Sequence, residues 1–138
     1  MDYEKVHLSL LISAMISYLT LVCVSSKATH IVGDRVGWAS PGYNGFYENW
    51  SRNVTFNVGD VLLFQYNPGL STVVHVNKDD YDHCTTRNVM QTYFRGNSSI
   101  TLDHPGEYFF FCSVGKHCEA GQKLQISVSQ GNPPSKTS

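Results

Sequence analysis

Cys112 closes an aromatic run, His117 follows it by five residues and Gln122 by ten, so one short loop carries a thiol, an imidazole and an amide. A soft thiolate with an imidazole and a weak axial donor suits copper in both oxidation states. One geometry serving both keeps reorganisation small during electron transfer. The cysteine count draws attention to the same residue. Of four cysteines, Cys23 lies in an N-terminal segment expected to be removed, which leaves an odd three: Cys84, Cys112 and Cys118. In an exported protein the leftover thiol calls for burial or metal ligation. On spacing alone Cys112 is either a metal ligand or a small buried hydrophobe beside a loop histidine.

That N-terminal segment reads as a leader. An apolar run from Leu8 to Val24, interrupted by Ser9, Ser13, Ser17 and Thr20, ends in Ser25-Ser26-Lys27-Ala28. It is shorter and more polar than the roughly 20 apolar residues of a spanning helix. Small residues at Ser26 and Ala28 suggest a cut at Ala28/Thr29, with residues 1–28 as signal peptide. About 110 residues then remain, enough for one core and not for two. The expected division is a domain at 29–129 and a short polar tail at 130–138, with no hydrophobic segment for a lipid anchor. Asn49, Asn53 and Asn97 each open a glycan acceptor triplet. The reading is a secreted monomer, extracellular in apoplast or cell wall, without a membrane anchor. A net charge of −1 and the lack of a Lys/Arg cluster argue against nucleic acid as partner.

From Thr29 onward short alternating runs separated by turn residues predict strands. Val54, Phe56 and Val58 alternate with polar residues, and Gly59-Asp60 suggests a hairpin turn into Val61–Tyr66. Ile100 and Leu102, Tyr108–Cys112, and Leu124, Ile126 and Val128 read as further strands of a half-buried antiparallel sheet. Phe46–Trp50 and Asp79–Cys84 have room for single helical turns. Asp79, Asp80 and Asp82 read as a solvated loop, since the spacing lacks the Gly and distal Glu of a calcium loop.

The motifs Thr29-His30-Ile31-Val32-Gly33-Asp34, Gly37-Trp38, Val58-Gly59-Asp60, Tyr81-Asp82-His83-Cys84, Gly106–Cys112 and Gly115–Lys123 together resemble the phytocyanin family of plant blue-copper proteins along the whole mature domain. The resemblance implies an all-β Greek-key cupredoxin sandwich of about seven or eight strands. It further implies a Cys84–Cys118 bridge and copper ligands at Cys112 and His117, with Gln122 in the axial place as in the stellacyanin-like branch. One position departs from the pattern. The family's other equatorial histidine lies some 13 residues before the first bridge cysteine, and there the chain has Ser71. A neutral hydroxyl is a poor copper ligand beside an imidazole. His75 shares strand parity with Ser71, but four residues at about 3.3 Å each put it roughly 13 Å away, beyond the reach of a bond without a register shift.

Two functions follow. One is an extracellular one-electron carrier with an incomplete copper site and a small redox protein or small molecule as partner. An amide donor favours Cu(II) more than a thioether does, so its potential should lie low for a blue site. The other is a copper-free cell-surface or cell-wall interaction module like the early nodulin-like relatives. No Ser/His/Asp or paired-carboxylate arrangement stands out, so enzymatic activity is not expected.

Overall fold

The computed structural model describes residues 2–22 and 27–131. In chain order the elements are α1 (Tyr3–Val22), β1 (Thr29–Ile31), α2 (Phe46–Arg52), β2 (Phe56–Asn57), β3 (Val61–Phe64), β4 (Val73–Val76), α3 (Lys78–His83), β5 (Gln91–Tyr93), β6 (Ser98–Thr101), β7 (Gly106–Phe111) and β8 (Lys123–Ser129). They fall into two compact units. One contains the helix α1, and the other, from Ala28 to Pro133, contains all the strands. Among the described residues no helix is long and apolar enough to cross a membrane. The expected domain ends, Ala28/Thr29 and residue 129, lie within described chain, whereas Cys23 and most of the 130–138 tail lie outside it.

The strands form a sandwich of a three-stranded sheet, ordered β1-β3-β6, and a five-stranded sheet, ordered β2-β8-β7-β4-β5. Alternation decides which side chains enter the space between them. Leu62 and Phe64 from β3 and Ile100 from β6 meet Val73, Tyr108, Phe110, Leu124, Ile126 and Val128 from the larger sheet. Trp38 and Tyr47 complete this core, Trp38 lying edge-on to Phe64 with ring centres 5.0 Å apart. The reverse face of the larger sheet carries Val74, Val76, Phe109 and Phe111, covered by Tyr81 and Cys84 around α3. Strand β7 is thus buried on both faces, which is why Tyr108–Phe111 is aromatic without alternation. Truncating Phe110 to Ala would cost about 3–5 kcal/mol.

Two expectations are corrected. The segments around Phe56 and Val61 are not a hairpin: β2 pairs parallel with β8, while β3 pairs parallel with β1 and antiparallel with β6. The chain crosses between sheets at Asp60, whose carboxylate accepts the Asn57 N–H at 3.0 Å and whose own backbone bonds Asn57 and Leu102. Side-chain hydrogen bonding at the bend therefore replaces ladder pairing. The acidic cluster is helical rather than a loop, and only Asp79 and Asp82 are solvated. Asp79, Asp80 and Asp82 lie in α3, and Asp80 is fully buried. Its carboxylate takes the Thr85 hydroxyl and the N–H groups of Arg87 and Asn88, which shapes the turn leading to β5.

The Thr85 hydroxyl, with the Asn88 and Arg87 amides, holds the Asp80 carboxyl below its ordinary range against the opposing effect of burial. A depressed folded-state value means stabilisation present above the unfolded value of about 3.9 and lost as pH falls through the folded one. Asp80→Asn is expected to lower the melting temperature at pH 7, with the gap from the natural protein narrowing below pH about 4. Melting curves at pH 7 and pH 3 check it, and a gap that stays constant with pH would contradict the account.

Candidate metal centre

β7 delivers Cys112 into the inter-sheet core with the parity of Tyr108 and Phe110, and Cys112 is 0 % exposed. The loop that follows is closed by main-chain bonds. Cys112 N–H donates to the Gln122 carbonyl at 3.0 Å, and Gln122 N–H donates to the His117 carbonyl at 2.9 Å. Gly121, at φ +108°, permits the last turn, because a Cβ there would come within 2.7 Å of Asn44 Oδ1. This closure brings the Cys112 Sγ to 3.6 Å from His117 Nδ1. His117 is half-buried at the surface, while Gln122 is fully buried.

Sequence reasoning missed two supporting residues. Thr72 N–H points at the Cys112 Sγ at 3.4 Å, and Thr72 Oγ1 accepts the Ser113 N–H at 2.9 Å. Trp38 Nε1 donates to the Thr72 carbonyl at 2.8 Å, tying that backbone to the core. An N–H aimed at sulfur favours its electron-rich form. Such main-chain donors have no sequence signature beyond proximity to the Ser71 position.

Ser71 is buried, and its Oγ accepts a hydrogen bond from Gln122 Nε2 at 3.0 Å. The other amide atom, Gln122 Oε1, is buried with no hydrogen-bond partner. Ser71 also borders an open cleft of about 390 Å³ lined by Trp38, Tyr66 and Leu70. His75 lies elsewhere. It pairs across β4 and β7 with Phe110, and its ring stacks on Phe110 at 4.8 Å and Tyr108 at 5.5 Å. Burial holds its pKa below the ordinary imidazole value, with Asp103 opposing.

Cys84 and Cys118 form a disulfide and Cys112 is free. The bridge ties the end of α3 to the loop one residue after His117. Asn49, Asn53 and Asn97 are all exposed, although Asn97 Oδ1 accepts the Tyr66 N–H at 3.1 Å.

These donors fit a copper ion with one position short. A separation of 3.6 Å between a thiolate sulfur and an imidazole nitrogen is compatible with one ion at about 2.3 and 2.0 Å from them. The unpartnered Gln122 Oε1 is an acceptor that a cation would satisfy. Among the described residues no three His, Cys, Asp or Glu side chains gather into a metal cage.

Comparison with known proteins gives the same fold. Residues 38–122 match the plastocyanin-like domain family. The chain is 34 % identical over 120 residues to the blue copper protein of Pisum sativum, covering 87 % of this chain and 62 % of that one. It is 36 % identical over 129 residues to early nodulin-like protein 2 of Arabidopsis thaliana, covering 93 % and 36 %. It therefore spans less than two thirds of the length of either relative. Cucumber stellacyanin, solved with Cu2+, superposes with a TM-score of 0.71 at 34 % identity, over 78 % of this chain and all of that one.

Peptide mapping of the unreduced protein is expected to recover Cys84 linked to Cys118, with Cys112 alkylated only after unfolding. Replacing both bridge cysteines by Ala should cost about 4 kcal/mol by loop-closure entropy over the 34-residue separation. Denaturant melts of that variant measure the loss. Rapid alkylation of Cys112 in the folded protein would contradict the burial.

Proposed function

The chain belongs to the phytocyanins, within the plastocyanin-like domain family, and from that membership we propose an exported one-electron carrier whose copper is held by Cys112, His117 and Gln122. Ser71 stands where a second imidazole is expected. The observation that carries this reading is the Cys112–His117 pair at 3.6 Å, closed by the backbone of a Gln122 whose buried Oε1 has no partner. Copper, when bound, supplies exchange between Cu(I) and Cu(II). Cys112 contributes the thiolate, with the Thr72 N–H aimed at it to stabilise negative charge. The half-buried His117 connects this interior group to the surface, where a small redox protein or small molecule can approach. Gln122 supplies an amide oxygen, which favours the oxidised ion and a low potential for a blue site. Export through the 1–28 leader and glycans on some of Asn49, Asn53 and Asn97 fit an extracellular place of work. The exposure of all three asparagines supports the glycans.

A specific observation favours a second reading, a copper-free interaction module at the cell surface or wall. Ser71 Oγ already receives the Gln122 amide, so part of the interior polarity is met without a metal. Similarity to the early nodulin-like protein agrees with it.

Adding Cu(II) to the purified protein separates the two. The carrier reading expects an intense visible thiolate-to-copper band, made stronger by Ser71→His with an affinity gain of at least roughly tenfold. His75→Ala should change neither. A band in neither the natural protein nor Ser71→His supports the copper-free module. Loss of copper binding in His75→Ala, with Ser71→His unchanged, would show that His75 is the ligand.

A further inference from the structure

We propose that Ser71 is a positioning residue for the metal centre: its hydroxyl holds the Gln122 amide by the nitrogen, so that the oxygen is the atom left to face a cation. The proposal rests on the carrier reading and gives Ser71 a role within it. Both partners are interior, Ser71 at 3 % and Gln122 at 0 % exposure, although 51 residues separate them in the chain. Gln122 Nε2 donates to Ser71 Oγ at 3.0 Å, and Oε1, at the other end of the same amide, has no partner.

The last torsion of a glutamine side chain is broad and roughly two-fold, so covalent geometry leaves open which amide atom faces which way. The main chain leaves it open too. Gln122 uses its N–H on the His117 carbonyl at 2.9 Å and its carbonyl on the Cys112 N–H at 3.0 Å, which fixes where the side chain starts but not how its amide turns. The amide nitrogen carries two donors and no acceptor, so only the oxygen suits a cation. Ser71 is a fixed anchor for the choice. Its N–H donates to the Asn67 carbonyl at 3.3 Å, and the next residue, Thr72, is held by Trp38 at its carbonyl and aims its N–H at Cys112 Sγ. By accepting from Nε2, the Ser71 hydroxyl satisfies the donor end of the amide within the protein and leaves the acceptor end unmatched. A buried acceptor without a partner is costly, and a cation beside Oε1 removes that cost. An aliphatic residue at 71 would remove the bond that distinguishes the two ends of the amide.

The test has two arms. In the metal-free natural protein, NMR contacts from the Gln122 side-chain amide protons are expected to the β-protons of Ser71. Amide protons directed at Cys112 instead would overturn the proposal, whatever the variants do. The second arm measures Cu(II) affinity and reduction potential in the natural protein, Ser71→Ala and Ser71→Thr, with melting curves of the metal-free forms to establish that each is folded. Ser71 borders an open cleft, where the added methyl of threonine has room. Ser71→Ala is expected to bind Cu(II) at least roughly tenfold more weakly. Its potential should rise, because an amide oxygen no longer held in place favours Cu(II) less. Ser71→Thr, which keeps the hydroxyl, should match the natural protein in both. Affinity and potential unchanged in Ser71→Ala, or lost equally in Ser71→Thr, overturn the proposal and leave the carrier reading standing. A natural protein that takes up no Cu(II) overturns the carrier reading and the proposal with it.

Discussion

The register of β7 between β4 and β8 is the constraint on which the site depends, because Cys112 inherits its direction from that strand. Tyr108 opposite Ile126 and Phe110 opposite Leu124 send one set of side chains into the sandwich, and Phe109 and Phe111 go to the α3 side. A slip of one residue would exchange the two sets and carry Cys112 out of the inter-sheet core. The slip is opposed on both faces at once, since large aromatics fill each side of β7 and interiors tolerate little change of shape. The pairing then runs one step past the strand, through Cys112 N–H to the Gln122 carbonyl, and that step closes the loop carrying His117.

Two further attachments hold the loop from opposite sides. On one side the disulfide fixes Cys118 to the end of α3, and α3 is itself shaped by the buried Asp80 and its donors. On the other side Trp38 holds the Thr72 carbonyl, whose residue presents its N–H to Cys112 and its hydroxyl to Ser113. Gly37 makes that arrangement reachable: at φ +69° it lets Trp38 N–H bond Gln65 O at 2.8 Å, where a Cβ would collide with the same oxygen. Sulfur, imidazole and amide are therefore placed by main-chain bonds and core packing more than by contacts with one another, a form of preorganisation built into the backbone.

Much of this was legible in the chain. The five-residue steps from Cys112 to His117 to Gln122 pointed to one loop, and strand patterning pointed to a sandwich. The phytocyanin-like motifs implied the pairing of Cys84 with Cys118, which the structure bears out. The crossing at Asp60 was not legible, because alternation reports which face a residue takes but not which sheet its strand joins, and Gly59-Asp60 looks the same in a hairpin as in a crossover. Asp80 was hidden for a related reason. A carboxylate satisfied by amides eight residues downstream has the same composition as one in water. Thr72 meets the sulfur through its backbone N–H, which any residue but proline would supply, so that contact left no mark in the sequence.

Ser71 is where fold and chemistry part company. The sandwich, the bridge and the loop closure are all in place, yet a hydroxyl bonded to Gln122 stands at the position where a second imidazole is expected. The proposed centre is one thiolate, one imidazole and one amide. X-ray absorption at the copper edge of the copper-loaded protein tests it most directly. One short sulfur shell at about 2.3 Å with scattering from a single imidazole is expected, and a spectrum with only nitrogen and oxygen neighbours, or with two imidazoles, would contradict that centre.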